Sequence, residues 1–122
     1  MDDRRRKGDR GEAYVASYLK RQGYTVMEQQ FRCRRGEIDL IVRSPDGIVC
    51  FVEVKTRKDA VFAEAREFVT PAKQHRIRAA AQYYLIKCGD PDSLCRFDVA
   101  EVYLADGFFK RPKINYLTQA FD

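Results

Sequence analysis

At 122 residues the chain has the length of one domain with a modest core, and a hydrophobic content of 45% argues against wholesale disorder. No apolar run is long enough to cross a bilayer, and no apolar core follows the charged amino terminus as a signal peptide requires, so a cytoplasmic protein without a membrane partner is expected. The net charge of +5, with arginine clustered rather than spread, favours a polyanionic partner, nucleic acid first.

Residues 1–8 read as a mobile basic tail that could touch phosphates. From Asp9 to Arg21 the spacing predicts a helix. Val15, Ala16 and Leu19 form its inward stripe, Asp9 and Glu12 fit a capping box, and Gly23 stops it. Glu12 lies on the buried side of that helix, at its mouth, where its carboxylate could join acids of the sheet. Tyr24 to Arg32 reads as a first strand. The basic loop Arg32-Cys33-Arg34-Arg35 follows, and its guanidinium groups either balance nearby acids or grip a phosphate backbone. Gly36 lets the chain turn there.

Two short apolar strands come next, Gly36 to Val42 and Phe51 to Lys55, joined by the turn signal Arg43-Ser44-Pro45-Asp46-Gly47. Both carry acids where a buried strand should have none. Alternation puts Glu37 and Asp39 on one face of the first strand, and Glu53 and Lys55 on one face of the second. If the register brings these faces together, two or three carboxylates and one ammonium converge. Two carboxylates about 4 Å apart repel by roughly 4 kcal/mol at an effective dielectric near 20. A shared proton, a cation or distance must relieve this. A hard divalent ion such as Mg²⁺ suits the task, because it prefers oxygen ligands and completes its shell with water and substrate phosphate. Lys55 could then orient a water or neutralise charge on a phosphate oxygen. The competing reading is a salt-bridged hairpin in which Lys55 merely offsets Glu53.

Beyond Lys55 the segment from Thr56 to Val69 has no clean period and reads as a loop with one short helical turn. Thr70 and Pro71 open a second helix as cap and first residue. Its stripe is Ile77, Ala81, Tyr84 and Cys88, and it ends at Gly89 and Pro91. Lys73, one turn before Ile77, can point at the sheet, and with Arg76 and Arg78 it makes the helix entrance basic. His75, the single histidine, is expected to be exposed. Cys95 to Leu104 alternates as a strand, with Asp98 bonded to backbone or to Arg96. Asp106-Gly107 marks a turn, and Lys113 to Leu117 reads as an edge strand. The four cysteines lack Cys-x-x-Cys spacing and read as reduced, mostly buried thiols.

The expected fold is therefore α/β, a mixed central sheet flanked by helices in α-β-β-β-α-β order, in one domain over residues 1–122. Asp39 and Glu53 are fourteen positions apart across a hairpin, with Lys55 two beyond. This resembles the Asp…Glu-x-Lys signature of the restriction-endonuclease-like superfamily. Gly36-Glu37-Ile38-Asp39-Leu40-Ile41 with Phe51-Val52-Glu53-Val54-Lys55-Thr56-Arg57 resembles the YraN family of small bacterial proteins. Gly11-Glu12, Lys73, Arg96-Phe97-Asp98 and Ala120-Phe121 match it as well. One departure is Gln29-Gln30-Phe31, where the family often has Asn.

The resemblance implies a restriction-endonuclease-like core similar to archaeal Holliday junction resolvases. It implies a metal-dependent endonuclease that uses Mg²⁺ or Mn²⁺ on structured or branched DNA. Asp39 and Glu53 would bind the metal, Lys55 would serve catalysis, Glu12 would complete the acidic set, and Glu37 would be an accessory acid. DNA contacts fall to Arg32, Arg34, Arg35, Arg57, Lys73 and Arg76, and a homodimer would suit a symmetric junction. Two other functions stay open: a nucleic-acid-binding module without cleavage, and an adaptor that pairs through its edge strand.

Overall fold

The structure, a computed structural model, describes residues 3–57, 69–103 and 112–122. Its elements are α1 (Asp3–Arg21), β1 (Thr25–Cys33), β2 (Gly36–Arg43), β3 (Val49–Arg57), α2 (Pro71–Lys87), β4 (Cys95–Tyr103) and β5 (Lys113–Phe121). The strands form one mixed sheet in the order β1-β2-β3-β4-β5. Neighbours run antiparallel except β3 and β4, which are parallel and are bridged by the crossover that carries α2. The α/β class, the mixed sheet and the flanking helices are as expected.

Each face of the sheet is covered by one helix. Val15, Ala16 and Leu19 of α1 pack on Leu40, Val42, Cys50, Val52, Ala100 and Val102. Ile77, Ala80, Ala81, Tyr84 and Leu85 of α2 pack on Ile38, Ile41, Phe51, Val99 and Phe121. Phe97 stacks between Phe51 and Phe121, with ring centroids 5.6 and 5.1 Å away. The central strands are apolar on both sides because both sides are covered. A fully buried aliphatic side chain contributes about 1.5–3 kcal/mol, so these two layers supply most of the driving force.

Local signals explain most boundaries. Gly23 ends α1 with φ +89°, and Gly47 takes φ +89° in the hairpin turn, where the Ile48 N–H donates to Ser44 Oγ at 3.0 Å. Thr70 caps α2 by accepting from the Lys73 N–H at 3.2 Å, with Pro71 directly after it. His75 is exposed, as expected.

Several expectations need correction. Helix α1 begins at Asp3, so Asp9 lies inside it rather than at a cap, and much of the supposed tail is helical. β3 continues through Thr56 and Arg57, because pairing with β4 carries it past Lys55. β5 runs to Phe121, four residues beyond Leu117. Cys88 is exposed at the helix end, and Ala80 and Leu85 fill the α2 stripe instead. All four cysteines are free, but only Cys50 is buried. The expected loop after Arg57 and the Asp106-Gly107 turn lie outside the described residues. Among the described residues no helix is long and apolar enough to cross a membrane.

Asp98 organises the α1 face. It is fully buried, and both oxygens are bonded. Arg96 Nε and the Gln119 N–H donate to Oδ1, both at 2.9 Å, while Arg96 Nη2 at 3.0 Å and the Tyr116 hydroxyl at 2.5 Å donate to Oδ2. Arg96 also donates to the Tyr24 hydroxyl at 2.8 Å. Asp98 thus bonds both backbone and Arg96, the structural role read from the sequence. It fills the place where the β4–β5 register slips between Phe97 and Val99. Burial, together with the charge of Asp98, holds the neighbouring Cys50 thiol protonated, its pKa pushed up to about 12. Replacing Asp98 with Ala strands the half-buried Arg96 guanidinium and the Tyr116 hydroxyl and is expected to cost about 3–5 kcal/mol. Urea denaturation measures this, and a loss under about 1 kcal/mol would show that the network is dispensable.

Candidate functional site

The site forms where β2 and β3 part. Their backbone ladder runs from Arg43↔Val49 to Leu40↔Val52 and goes no further. One step beyond, the Asp39 carboxylate takes over, with the Val54 N–H donating to Oδ2 at 2.8 Å. The alternation of β2 breaks at this point. Ile38 packs in the α2 layer and Leu40 in the α1 layer, although a regular strand would put both on one face. Opposite Asp39, Gln30 of β1 takes φ +52°, a left-handed conformation rarely adopted by a side chain of this kind. It is Ile38 that departs from the alternation: Glu37 stands beside Lys73 and Arg76 of α2, and the charges of Lys73 and Glu37 both act on Asp39, so the two acids keep to one side of the strand.

β3 is regular, so Phe51, Glu53 and Lys55 face the α2 side as expected. Glu53 is 6% exposed, and its carboxyl lies within hydrogen-bonding reach of Asp39. Two lysines meet it. Lys55 Nζ lies 3.8 Å from Glu53 Oε1, and Lys73 Nζ, reaching down from the first turn of α2, lies 3.3 Å from the same oxygen. Lys73, expected as a DNA contact, is thus also a partner of the acid pair.

Burial pushes the Glu53 pKa up to about 7, and the negative charge of Asp39 adds to the rise; Lys73 and Lys55 oppose it. Asp39 is also raised, by burial first, against the Val54 N–H bond and the charge of Lys73. Near neutrality one proton on the pair relieves the repulsion, and a divalent cation could do the same.

The remaining expected residues spread around this centre. Glu12 stands on α1, across the sheet from α2, and its Oε2 accepts from Gln30 Nε2 at 3.1 Å. Gln30 thus links Glu12 to the level of Asp39. Among the described residues, however, no three acid, histidine or cysteine side chains are gathered as a metal cage. Glu37 is exposed and pairs with Arg32 at 3.5 Å. Arg34 and Arg35 are exposed in the β1–β2 turn, and Arg76 is exposed on α2. Arg57 sits with its Nε 3.6 Å from the buried Glu101 carboxylate, which also accepts from the Tyr103 hydroxyl. Glu101 was missed from the sequence. Its signal was the same as that of Glu53, an acid at an inward position of an apolar strand.

Gly36 allows α2 to close over the hairpin end. A Cβ there would stand 2.9 Å from the Arg76 backbone oxygen. The approach leaves a cleft of about 410 Å³ between the β1–β2 turn and α2, lined in part by Arg32, Glu37, Lys73, Arg76 and Ile77.

A buried carboxylate, Glu53, and a half-buried one, Asp39, fit a hard cation such as Mg²⁺, which is commonly held by one or two carboxylates with water and phosphate supplying the rest. A mixed α/β protein with an acid–lysine centre is therefore the class that the fold and side chains define. The profile of the uncharacterised protein family UPF0102 matches residues 11–102, a stretch that contains Glu12, Asp39, Glu53, Lys55 and Lys73. A UPF0102 protein of Pelobacter propionicus is 41% identical over 121 residues, covering 98% of this chain and 85% of that protein. One from Trichlorobacter lovleyi is 40% identical over 115 residues, covering 94% and 89% respectively. One from Nitrosomonas eutropha is 39% identical over 122 residues, covering 100% and 98%. The chain belongs to this family, UPF0102, also called the YraN family.

The raised pKa of Glu53 makes a signed prediction for the metal-free protein. Between its ordinary value of 4.5 and about 7, the folded state binds more protons than the unfolded chain. Stability from this source is complete below the lower value and lost as pH rises through the upper one, and Asp39 acts in the same direction. In EDTA, Tm is expected to fall between about pH 5.5 and about pH 8, with Glu53→Gln flattening the slope. An identical slope in the variant would show that Glu53 is ionised throughout.

Proposed function

We propose that this protein is a metal-dependent endonuclease with a restriction-endonuclease-like core, hydrolysing DNA phosphodiester bonds on structured or branched DNA in the cytoplasm. One observation carries the reading: the half-buried Asp39 and the buried Glu53, from adjacent strands, meet beside two lysines. Catalytic centres are where burial and like charge are set against each other in this way. Asp39 and Glu53 are the residues that would hold Mg²⁺ or Mn²⁺. The bound ion would supply Lewis acidity at the scissile phosphate and lower the pKa of an attacking water.

The protein's own groups do the rest. Lys55, tethered on the same strand as Glu53, orients the water or neutralises charge that develops on a phosphate oxygen. Arg34 and Arg35 on the exposed turn hold the phosphate backbone over the pair. Glu12 steadies Gln30, and through it the bend beside Asp39, so its part is positioning. Arg57, turned to Glu101, keeps the far end of β3 in place and is the weakest of the proposed DNA contacts. A homodimer would present two such centres to a symmetric junction.

A second reading, a nucleic-acid-binding module that does not cleave, draws support from one feature. Lys73 already stands on Glu53, so the acid pair has a cation even without metal.

Nicking assays separate the two. Branched DNA with Mg²⁺ or Mn²⁺ is expected to be cut, and Asp39→Ala or Glu53→Ala to slow the cut by at least roughly a hundredfold. Calorimetry should show Mn²⁺ uptake that Asp39→Asn weakens. Cutting that survives both alanine variants would reject the assignment, and DNA binding without cutting or metal uptake would favour the second reading.

A further inference from the structure

The cleft beside the acid pair is open to solvent, cationic on two walls and apolar at its base. Arg32 comes from the end of β1, while Lys73 and Arg76 come from successive turns of α2. Glu37 also lines it and is paired with Arg32 at 3.5 Å. The buried Ile77 and the half-buried Cys33 supply apolar surface. The cleft exists because Gly36 lets the strand start run against the α2 backbone. Lys73 belongs to both places, lining the cleft while its Nζ stays 3.3 Å from Glu53.

A volume of about 410 Å³ is that of a small-ligand site. A duplex rests on an exposed surface such as the Arg34–Arg35 turn, whereas a space of this size between a turn and a helix admits one nucleotide. Its charge pattern matches that ligand. Three cations against the one carboxylate of Glu37 leave the cleft net positive for a phosphate, and Arg32 and Arg76 have the planar fork that suits phosphate oxygens. Ile77 and Cys33 offer apolar contact to the face of a base. A base held in a duplex stack cannot turn into such a space, whereas an unpaired one can, at little unstacking cost.

We infer that the cleft is a subsite for one unpaired nucleotide adjoining the scissile phosphate, with Arg76 and Arg32 on its phosphate and Lys73 linking it to the Asp39–Glu53 pair. The inference rests on the endonuclease reading for the word scissile, but binding tests it without cleavage. It narrows the substrate class from structured DNA in general to DNA with an unpaired nucleotide at the site of action.

The test is fluorescence anisotropy in EDTA with the full chain and three labelled probes: a blunt duplex, the same duplex carrying a one-nucleotide bulge, and the matching single strand. Bulged and single-stranded probes are expected to bind about tenfold more tightly than the blunt duplex, the scale of one charge-assisted contact. Arg76→Glu, an exposed position, is expected to abolish that preference while leaving Mn²⁺ uptake unchanged by calorimetry. The equal charge change Lys87→Glu, at the far end of α2, is expected to keep the preference. Equal binding of all probes by the unaltered protein overturns the inference. So does an Arg76→Glu variant that keeps the preference, or one that weakens all probes alike as a general phosphate contact would. Loss of the endonuclease reading has a different signature: the preference persists, but no metal is taken up and no strand is cut.

Discussion

The bond from the Val54 N–H to Asp39 is the constraint on which the site depends. It stands where a backbone carbonyl of β2 would continue the ladder, so the side chain finishes the sheet at the point where the strands diverge. The bond stabilises a carboxylate in a place that burial makes unfavourable, and it fixes that carboxylate against Glu53. From there the geometry has few alternatives. The second acid has Lys55 of its own strand at 3.8 Å and a nearer cation, Lys73 of α2, at 3.3 Å. The helix can come that close because residue 36 has no side chain to meet the Arg76 carbonyl.

The two faces of the sheet treat buried acid differently. On the α1 side, the oxygens of Asp98 take four donors, two of them from one guanidinium, and no space is left for another molecule. A polar network of that kind, fully satisfied, rigidifies a core and specifies a register. On the α2 side, Glu53 has lysines at 3.3 and 3.8 Å and a second carboxyl in contact, in a setting that opens toward a cleft. The first arrangement is closed by its own side chains. The second has charge left to share, which is the physical difference between an acid kept for structure and one available for chemistry.

Much of this was legible in the sequence. Val15, Ala16 and Leu19 mark one covered face, and Thr70 with Pro71 fixes the start of α2 to the residue. Acids at inward positions of apolar strands located Glu53 and Asp39. What stayed hidden depends on pairing rather than local pattern. Glutamine has no preference for positive φ, so nothing at Gln30 announces the irregularity beside Asp39 that puts Ile38 in the α2 layer. The reach of Arg57 to Glu101 follows from the parallel register of β3 and β4, which no short-range signal encodes. The contact between Arg96 and Tyr24 spans 72 positions of chain. The early start of α1 escaped because Asp9 and Glu12 offer a plausible cap, and a cap signal inside a longer helix looks the same as one at its end.

The two lysines on Glu53 are not equivalent. Lys55 is two residues along the same strand, so it faces the same way whenever β3 is formed, and its place is set by the sheet. Lys73 is held by the seating of α2, which depends on Thr70 as cap and on the bare backbone at Gly36. A charge fixed by the sheet stays with the acids through any exchange of ligand. One carried on a long side chain at the rim of a cleft can leave a carboxylate for a phosphate at modest cost, because its ammonium is a flexible point charge without the directional fork of arginine. The shorter contact, 3.3 Å against 3.8 Å, therefore does not make Lys73 the more permanent partner. It places a cation from α2 both on the wall of the cleft and next to the acids whose repulsion it relieves.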